Sequence, residues 1–73
     1  MSTQKALARI LQDAREQAPA GEIVVRIHLF GIDHASELQG VDLRKLTRDA
    51  GIPESYATEI QKGMRLAEYV KRI

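Results

Sequence analysis

Residues 42–65, DLRKLTRDAGIPESYATEIQKGMR, constrain the fold of this chain more than any other stretch. They predict two short amphipathic helices, one on each side of Gly51. Asp42 is a good N-cap for the first helix, which is expected over residues 43–50. The inward residues of that helix are Leu43, Leu46 and Ala50. Gly51 can adopt the positive φ angle that a helix C-cap needs, so the first helix is expected to end there.

The second helix of this stretch is expected after Ile52, which points back into the core, and is expected to run to about Lys62 and stop at Gly63. Pro53 suits its first turn, because the N–H that proline lacks would have no helical partner there. With about 3.6 residues per turn, one face of this helix is apolar and the opposite face is polar. The apolar face comprises Tyr56, Ala57, Ile60 and Met64, and the polar face comprises Glu54, Ser55, Thr58, Glu59 and Lys62.

Two helices joined in this way have the outline of a helix-turn-helix over residues 43–63, a motif whose second helix enters the major groove of DNA. The run AGIPESYATEIQKGMR resembles the turn, recognition helix and terminal Gly-x-Arg of the phage Cro and repressor type of helix-turn-helix protein. The residues that carry this resemblance are Leu46, Ala50, Gly51, Ile52, Ser55, Tyr56, Ile60, Gly63 and Arg65. The resemblance covers residues 42–65, and the sequence departs from the family pattern at Leu43, Thr47 and Pro53.

The resemblance implies a sequence-specific DNA-binding protein and a role in transcriptional regulation. It assigns base reading to the polar residues already found on the helix, which are Glu54, Ser55, Thr58, Glu59 and Lys62. Basic side chains near the motif are the candidates for phosphate contacts, and these are Arg44, Lys45, Arg48, Lys62 and Arg65. The two carboxylates on this face would repel phosphate, whose neutralisation dominates affinity. The alternative is therefore a protein–protein interaction module on the same scaffold, with Glu54 and Glu59 facing a basic partner.

The rest of the chain favours further helices. Residues 3–18 have one apolar stripe and are followed by the helix-breaking Pro19-Ala20-Gly21. Residues 22–38 combine β-branched residues with apolar residues at helical spacing, namely Val24, Ile27, Gly31, Ala35 and Leu38. We predict an all-α bundle of four to five helices. The alternative is an α+β fold in which residues 23–29 and 67–72 pair as two short strands.

The length is enough for one domain only, so residues 1–73 are expected to form a single domain that contains the helix-turn-helix and acts in the cytoplasm. A chain of 73 residues without cysteine has neither a disulfide nor a thiolate metal site to stabilise it. Its apolar runs are too short for a membrane-spanning helix, which needs about 20 residues. The N-terminal segment contains acidic residues and has no apolar core, unlike a signal peptide.

The net charge of +1 is divided unevenly along the chain. Residues 1–42 contain four Lys or Arg and six Asp or Glu, whereas residues 43–73 contain seven and four. The basic half therefore coincides with the helix-turn-helix, as expected for a nucleic-acid-binding surface. Because one such module makes few base contacts, a homodimer on paired half-sites is the natural extension. The apolar residues available for the dimer surface are Leu66, Tyr69, Val70 and Ile73.

Nothing in the sequence indicates an enzyme, a cofactor or a metal site. The two histidines, His28 and His34, are six residues apart, and on a helix this spacing does not place them on one face as two zinc ligands require. Asp33, His34 and Ser36 are close in sequence, but adjacency in sequence is not the geometry of a catalytic triad. No glycine-rich phosphate-binding loop or nucleophile elbow is present.

Overall fold

The computed structural model describes residues 3–70, which form four α-helices. Their bounds are α1 Thr3–Glu16, α2 Ile23–Asp33, α3 Leu43–Ala50 and α4 Tyr56–Leu66. The described residues include no β-strand, which confirms the all-α prediction. Helix α2 packs most extensively against α4, while α1 packs against both α3 and α2. None of the four helices is long and apolar enough to cross a membrane.

A single apolar core lies between the four helices. Its buried residues are Leu7, Ala8, Leu11, Ile27, Phe30, Leu38, Leu46, Ala50, Ile52 and Ile60. Thr47 is also fully buried, and its hydroxyl donates a hydrogen bond to the Arg44 carbonyl oxygen at 2.7 Å. That bond lets a threonine occupy the interior, because a buried hydroxyl without a partner would be destabilising.

The ambiguous segment 22–38 folds as a regular helix only over its first two thirds. α2 ends at Asp33, and residues 34–40 form successive turns. The strand alternative is wrong for residues 23–29, and its predicted partner strand lies partly outside the described residues. Ile27, Phe30 and Gly31 share one face of α2 and are all buried, so packing overrides the β-branched composition. Val24, expected on the inward stripe, is 43% exposed.

Two glycines allow α2 and α4 to cross with their backbones in contact. A Cβ atom on Gly31 would lie 2.5 Å from the Ile60 carbonyl oxygen and 2.9 Å from the Gly63 Cα. A Cβ atom on Gly63 would collide with the His28 carbonyl oxygen and lie 3.0 Å from the Gly31 Cα. The prediction that the last helix stops at Gly63 is therefore wrong, since Gly63 lies inside α4 at this crossing.

The connection between α3 and α4 follows the sequence prediction closely. The Asp42 carboxylate accepts hydrogen bonds from the backbone N–H groups of Arg44 and Lys45, both at 3.1 Å. A cap of this kind contributes about 1 kcal/mol to the stability of the folded chain. At the other end of α3, Gly51 has a φ angle of 76° and donates to the Arg48 carbonyl, while Ile52 donates to the Thr47 carbonyl. These two bonds form a Schellman motif.

The Schellman motif sets where α4 begins. Ile52 is buried immediately after it, as expected. Pro53 and Glu54 then form a tight turn in which their carbonyl oxygens accept hydrogen bonds from Tyr56 and Ala57. Helix α4 consequently begins at Tyr56. The sequence had placed the first residue of its polar face, Glu54, two residues earlier.

Candidate nucleic-acid interface

The exposed face of α4 is polar as far as Arg65 and ends on the exposed Leu66. Its polar side chains are Thr58, Gln61, Lys62 and Arg65. The opposite face contains the buried Ile60 and the partly buried Tyr56, Ala57 and Met64, as the sequence predicted. The described structure thus brings together on one surface three of the residues predicted to contact DNA, namely Thr58, Lys62 and Arg65. Glu54 and Ser55 are also exposed, but they lie in the turn that precedes α4.

Gln61 is exposed on this face and was missed by the sequence analysis. It lies three residues after Thr58 and four before Arg65, the spacings of neighbours on a helix surface. The helical periodicity of α4 was the available signal, because Gln61 falls between Arg65 and the edge of the apolar face. Glutamine is a side chain that can pair in a bidentate manner with adenine.

Glu59 does not lie with the exposed side chains, although the sequence placed it there. The structure turns its carboxylate toward α2, where Oε1 is 2.7 Å from the His28 Nε2. Its other oxygen, Oε2, is 3.4 Å from the Lys62 ammonium. The Glu59 side chain is only 23% exposed. Of the two carboxylates expected to oppose DNA, only that of Glu54 is fully on the surface.

The basic residues of α3 divide between its two edges. Lys45 forms an ion pair with Asp49 at 3.1 Å, and both line a shallow depression with residues of α1. Arg44 and Arg48 lie on the edge away from α1 and are exposed. Within residues 3–70, neither of these arginines nor Arg65 forms an ion pair. Three guanidinium groups near the motif are consequently available to an anionic partner.

The model of a family described as HTH-like domain matches residues 3–73. This chain belongs to the HTH-like domain family. The match extends the helix-turn-helix assignment from the motif to nearly the whole chain, and it supports helix-turn-helix membership in general rather than the Cro and repressor type in particular. No curated protein and no solved structure shows significant similarity to the chain.

The two helices predicted for the helix-turn-helix over residues 43–63 correspond to α3 and α4 of this HTH-like domain, and α4 continues to Leu66. Beyond it, Tyr69 is 84% exposed, and Leu66 and Val70 are also exposed. Leu66 and Tyr69 line a shallow groove together with His28, Lys62 and Arg65. The fourth residue of the predicted dimer surface, Ile73, lies outside the described residues.

Each histidine of the HTH-like domain pairs with one glutamate. His34 Nδ1 is 2.8 Å from the Glu37 Oε1, and its ring packs against Phe30 with a centroid separation of 5.1 Å. His28 pairs with Glu59 on α4, as described above. Among residues 3–70, no three His, Cys, Asp or Glu side chains come together in a way that could hold a metal ion.

The hydrogen bond from His28 holds the pKa of Glu59 below its ordinary value of 4.5, and Lys62 lowers it further, against an opposing effect of partial burial. Because the pKa is lower in the folded chain, Glu59 stabilises the fold fully above pH 4.5 and loses this contribution as the pH falls through the lowered value. We expect the urea midpoint of the wild type to fall over that range more steeply than the midpoint of Glu59→Gln.

Glu54→Gln is the matched control for this pH dependence. Glu54 is exposed and forms no hydrogen bond or ion pair through its side chain within residues 3–70. Its replacement should leave the pH profile of the urea midpoint as in the wild type. Identical acid profiles for the wild type and Glu59→Gln would contradict the assignment of Glu59 as a stabilising ionised group.

Proposed function

We propose that this HTH-like domain is a sequence-specific DNA-binding protein that acts as a transcriptional regulator and inserts α4 into the major groove. The observation that carries the proposal is the division of α4 into two faces. Its apolar face is fixed in the core by Ile60, while its outward face presents the polar side chains Thr58, Gln61, Lys62 and Arg65 and ends on the exposed Leu66. A recognition helix needs both a rigid support and a row of hydrogen-bonding side chains.

The outward side chains differ in what they can recognise. Gln61 can donate to N7 and accept from the N6 amino group of adenine, and Lys62 can donate to guanine O6 and N7. Thr58 can form a hydrogen bond or place its methyl group against that of thymine. Ser55 and Glu54 lie in the turn before α4, at the end of a recognition helix that commonly contacts base edges, and Glu54 can accept from cytosine N4.

Phosphate contacts are assigned to the three arginines that form no ion pair within the described residues, Arg44, Arg48 and Arg65. A guanidinium presents a planar set of donors that matches a phosphate group. The two α3 arginines and the α4 arginine would then fix the register of α4 in the groove. Lys45 is the weakest candidate, because Asp49 already neutralises it on the α1 side.

Titration of labelled duplex pools at two salt concentrations tests the proposed function. We expect affinity to fall steeply with salt and one sequence to be enriched on repeated selection. Arg65→Ala should weaken binding to all sequences similarly, whereas Gln61→Ala should change the preferred base at one position. Weak binding that does not depend on salt, with no enriched sequence, would overturn the proposal.

We further propose that the chain is a single domain of the Cro and repressor type that works in the cytoplasm as a homodimer. The exposed Leu66, Tyr69 and Val70 would form the dimer surface with Ile73. Sedimentation equilibrium should give a dimer for the wild type and a monomer for Leu66→Glu/Tyr69→Glu. Thr58→Glu, on the outward face of α4, is the control and should remain dimeric. A wild type that stays monomeric at high concentration would contradict this dimer.

The alternative function, docking of a basic partner protein on Glu54 and Glu59, has less support. It needs both carboxylates on one exposed surface, and Glu59 is instead directed at His28 and Lys62. Glu54 alone offers such a partner one negative charge, whereas the exposed Lys62 and Arg65 of α4 are positive. The charge pattern of α4 therefore favours an anionic partner over a basic one.

A further inference from the structure

Three side chains from two helices form a chain of contacts at the edge of the outward face of α4. His28, on α2, contacts Glu59 at 2.7 Å, and Glu59 contacts Lys62 at 3.4 Å. His28 lies outside the helix-turn-helix, and its own side chain is 29% exposed. Its side chain nevertheless forms a hydrogen bond with a residue of α4.

The chemistry of this contact fixes the direction of the hydrogen bond. An ionised carboxylate can only accept, so the hydrogen lies on Nε2 of His28 and is donated to Oε1 of Glu59. With Oε2 directed at Lys62, both oxygens of Glu59 have a partner. The negative charge is thereby held on the α2 side of α4, away from the surface formed by Thr58 and Gln61.

The backbone crossing of α2 and α4 holds His28 in position for this contact. The His28 carbonyl oxygen packs directly against Gly63, in the turn of α4 that follows Glu59. Because neither glycine has a side chain, the two backbones cannot be separated by a rotamer change. The crossing therefore holds the backbone of α2 at His28 close to the turn of α4 that follows Glu59.

We propose that His28 is a positioning residue for DNA recognition, which retains the Glu59 carboxylate beside α2 and so keeps a negative charge off the surface that faces the duplex. This inference rests on the proposed DNA-binding function. Without the imidazole donor, the flexible Glu59 side chain can extend past Thr58 toward phosphate. A carboxylate there repels the duplex and draws the Lys62 ammonium away from it.

A double-mutant cycle between His28→Leu and Glu59→Gln tests the inference, with the duplex selected by the wild type as the probe. His28→Leu should weaken binding by roughly 5- to 10-fold and reduce the slope of log affinity against log salt by about one. In the Glu59→Gln background the same His28 change should have no effect, because no carboxylate remains to be released. In the chain that retains Glu59, His28→Gln keeps a side-chain N–H donor. It should therefore recover most of the DNA affinity that His28→Leu loses.

A second measurement checks the contact without DNA. Titration of the Glu59 side-chain carboxyl by NMR should show its pKa rising toward the ordinary value in His28→Leu and staying low in the wild type. Thermal unfolding of each variant establishes that it is folded at the temperature of the titration. An unchanged Glu59 pKa in a folded His28→Leu variant would overturn the inference.

The outcomes separate this inference from the proposed function. A wild type that binds DNA with salt dependence, together with a His28→Leu variant that binds equally well, overturns the positioning role alone. The positioning role is also overturned if His28→Leu weakens DNA binding equally in the wild type and in Glu59→Gln, since that result indicates a general effect on packing. A wild type that binds no duplex overturns the proposed function and the positioning role together, even if the NMR titration finds the contact.

Discussion

Gly63→Ala is expected to destabilise this HTH-like domain by about 3 kcal/mol, the upper end of the range for overpacked cores. The new Cβ would meet the His28 carbonyl oxygen and the Gly31 Cα, which are backbone atoms that cannot move aside as a flexible side chain can. Helix propensity alone predicts the opposite sign, because alanine stabilises a helix interior by roughly 0.5–1 kcal/mol relative to glycine. Urea unfolding should show a lower midpoint with an unchanged slope.

For a chain of this size, that loss corresponds to a melting temperature lower by roughly 15 °C. Gln61→Ala is the matched control, because it changes an exposed residue of the same helix and should alter stability by less than about 0.5 kcal/mol. Gly31→Ala should have an effect similar to that of Gly63→Ala. The double variant should lose less than the sum of the two, since the first substitution already separates α2 from α4. A Gly63→Ala variant as stable as the wild type would show that the helices do not cross this closely.

The second large effect is expected from the two arginines on the outer edge of α3. Arg44→Ala/Arg48→Ala should weaken DNA binding on the order of 10- to 100-fold at about 0.1 M salt and reduce the salt slope by about two. The loss should be similar for all sequences, because phosphate contacts carry no base information. Fluorescence anisotropy with the selected duplex and with a scrambled duplex measures both quantities.

Lys45→Ala provides the control for this pair of arginines. Lys45 lies on the same helix between the two arginines in sequence, but its ammonium is held by Asp49 on the α1 side. Removal of Lys45 should therefore change affinity and salt slope much less than removal of Arg44 and Arg48. Equal losses from Lys45→Ala and from the double variant would mean that affinity follows total charge, and that the proposed orientation of α3 on the duplex is wrong.

The features of the fold that are determined by residues close together in the sequence could be predicted. Asp42, Gly51 and Ile52 each act within one helical turn of their own position, through a cap, a positive φ angle and a Schellman bond. Turn chemistry of this kind depends on residue type and spacing, both of which are visible in a single sequence. The helical class of α2 was also predicted, although the point at which it ends was not.

The parts that depend on contacts between distant residues could not be predicted. A glycine that follows a helical pattern usually signals a C-cap, and nothing near Gly63 in the sequence shows that it will meet Gly31. The orientation of the Glu59 side chain could not be predicted for the same reason, because it depends on His28, a residue of another helix. The periodicity of α4 places Thr58 and Lys62 on the exposed face, but it cannot say which polar side chain on the edge of that face will find a partner inside the fold.

The outward residues of α4 can be exchanged without rebuilding the domain. Thr58, Gln61, Lys62 and Arg65 contribute no side chain to the core, so substitutions among them should leave the fold intact. Under the proposed DNA-binding function, we expect related domains with this scaffold to diverge in target sequence through changes at these outward positions. Glu59 is different, because a new residue there would leave His28 without its acceptor. A redesign of the outward face should thus vary Thr58, Gln61 and Arg65 freely and treat His28, Glu59 and Lys62 as one unit.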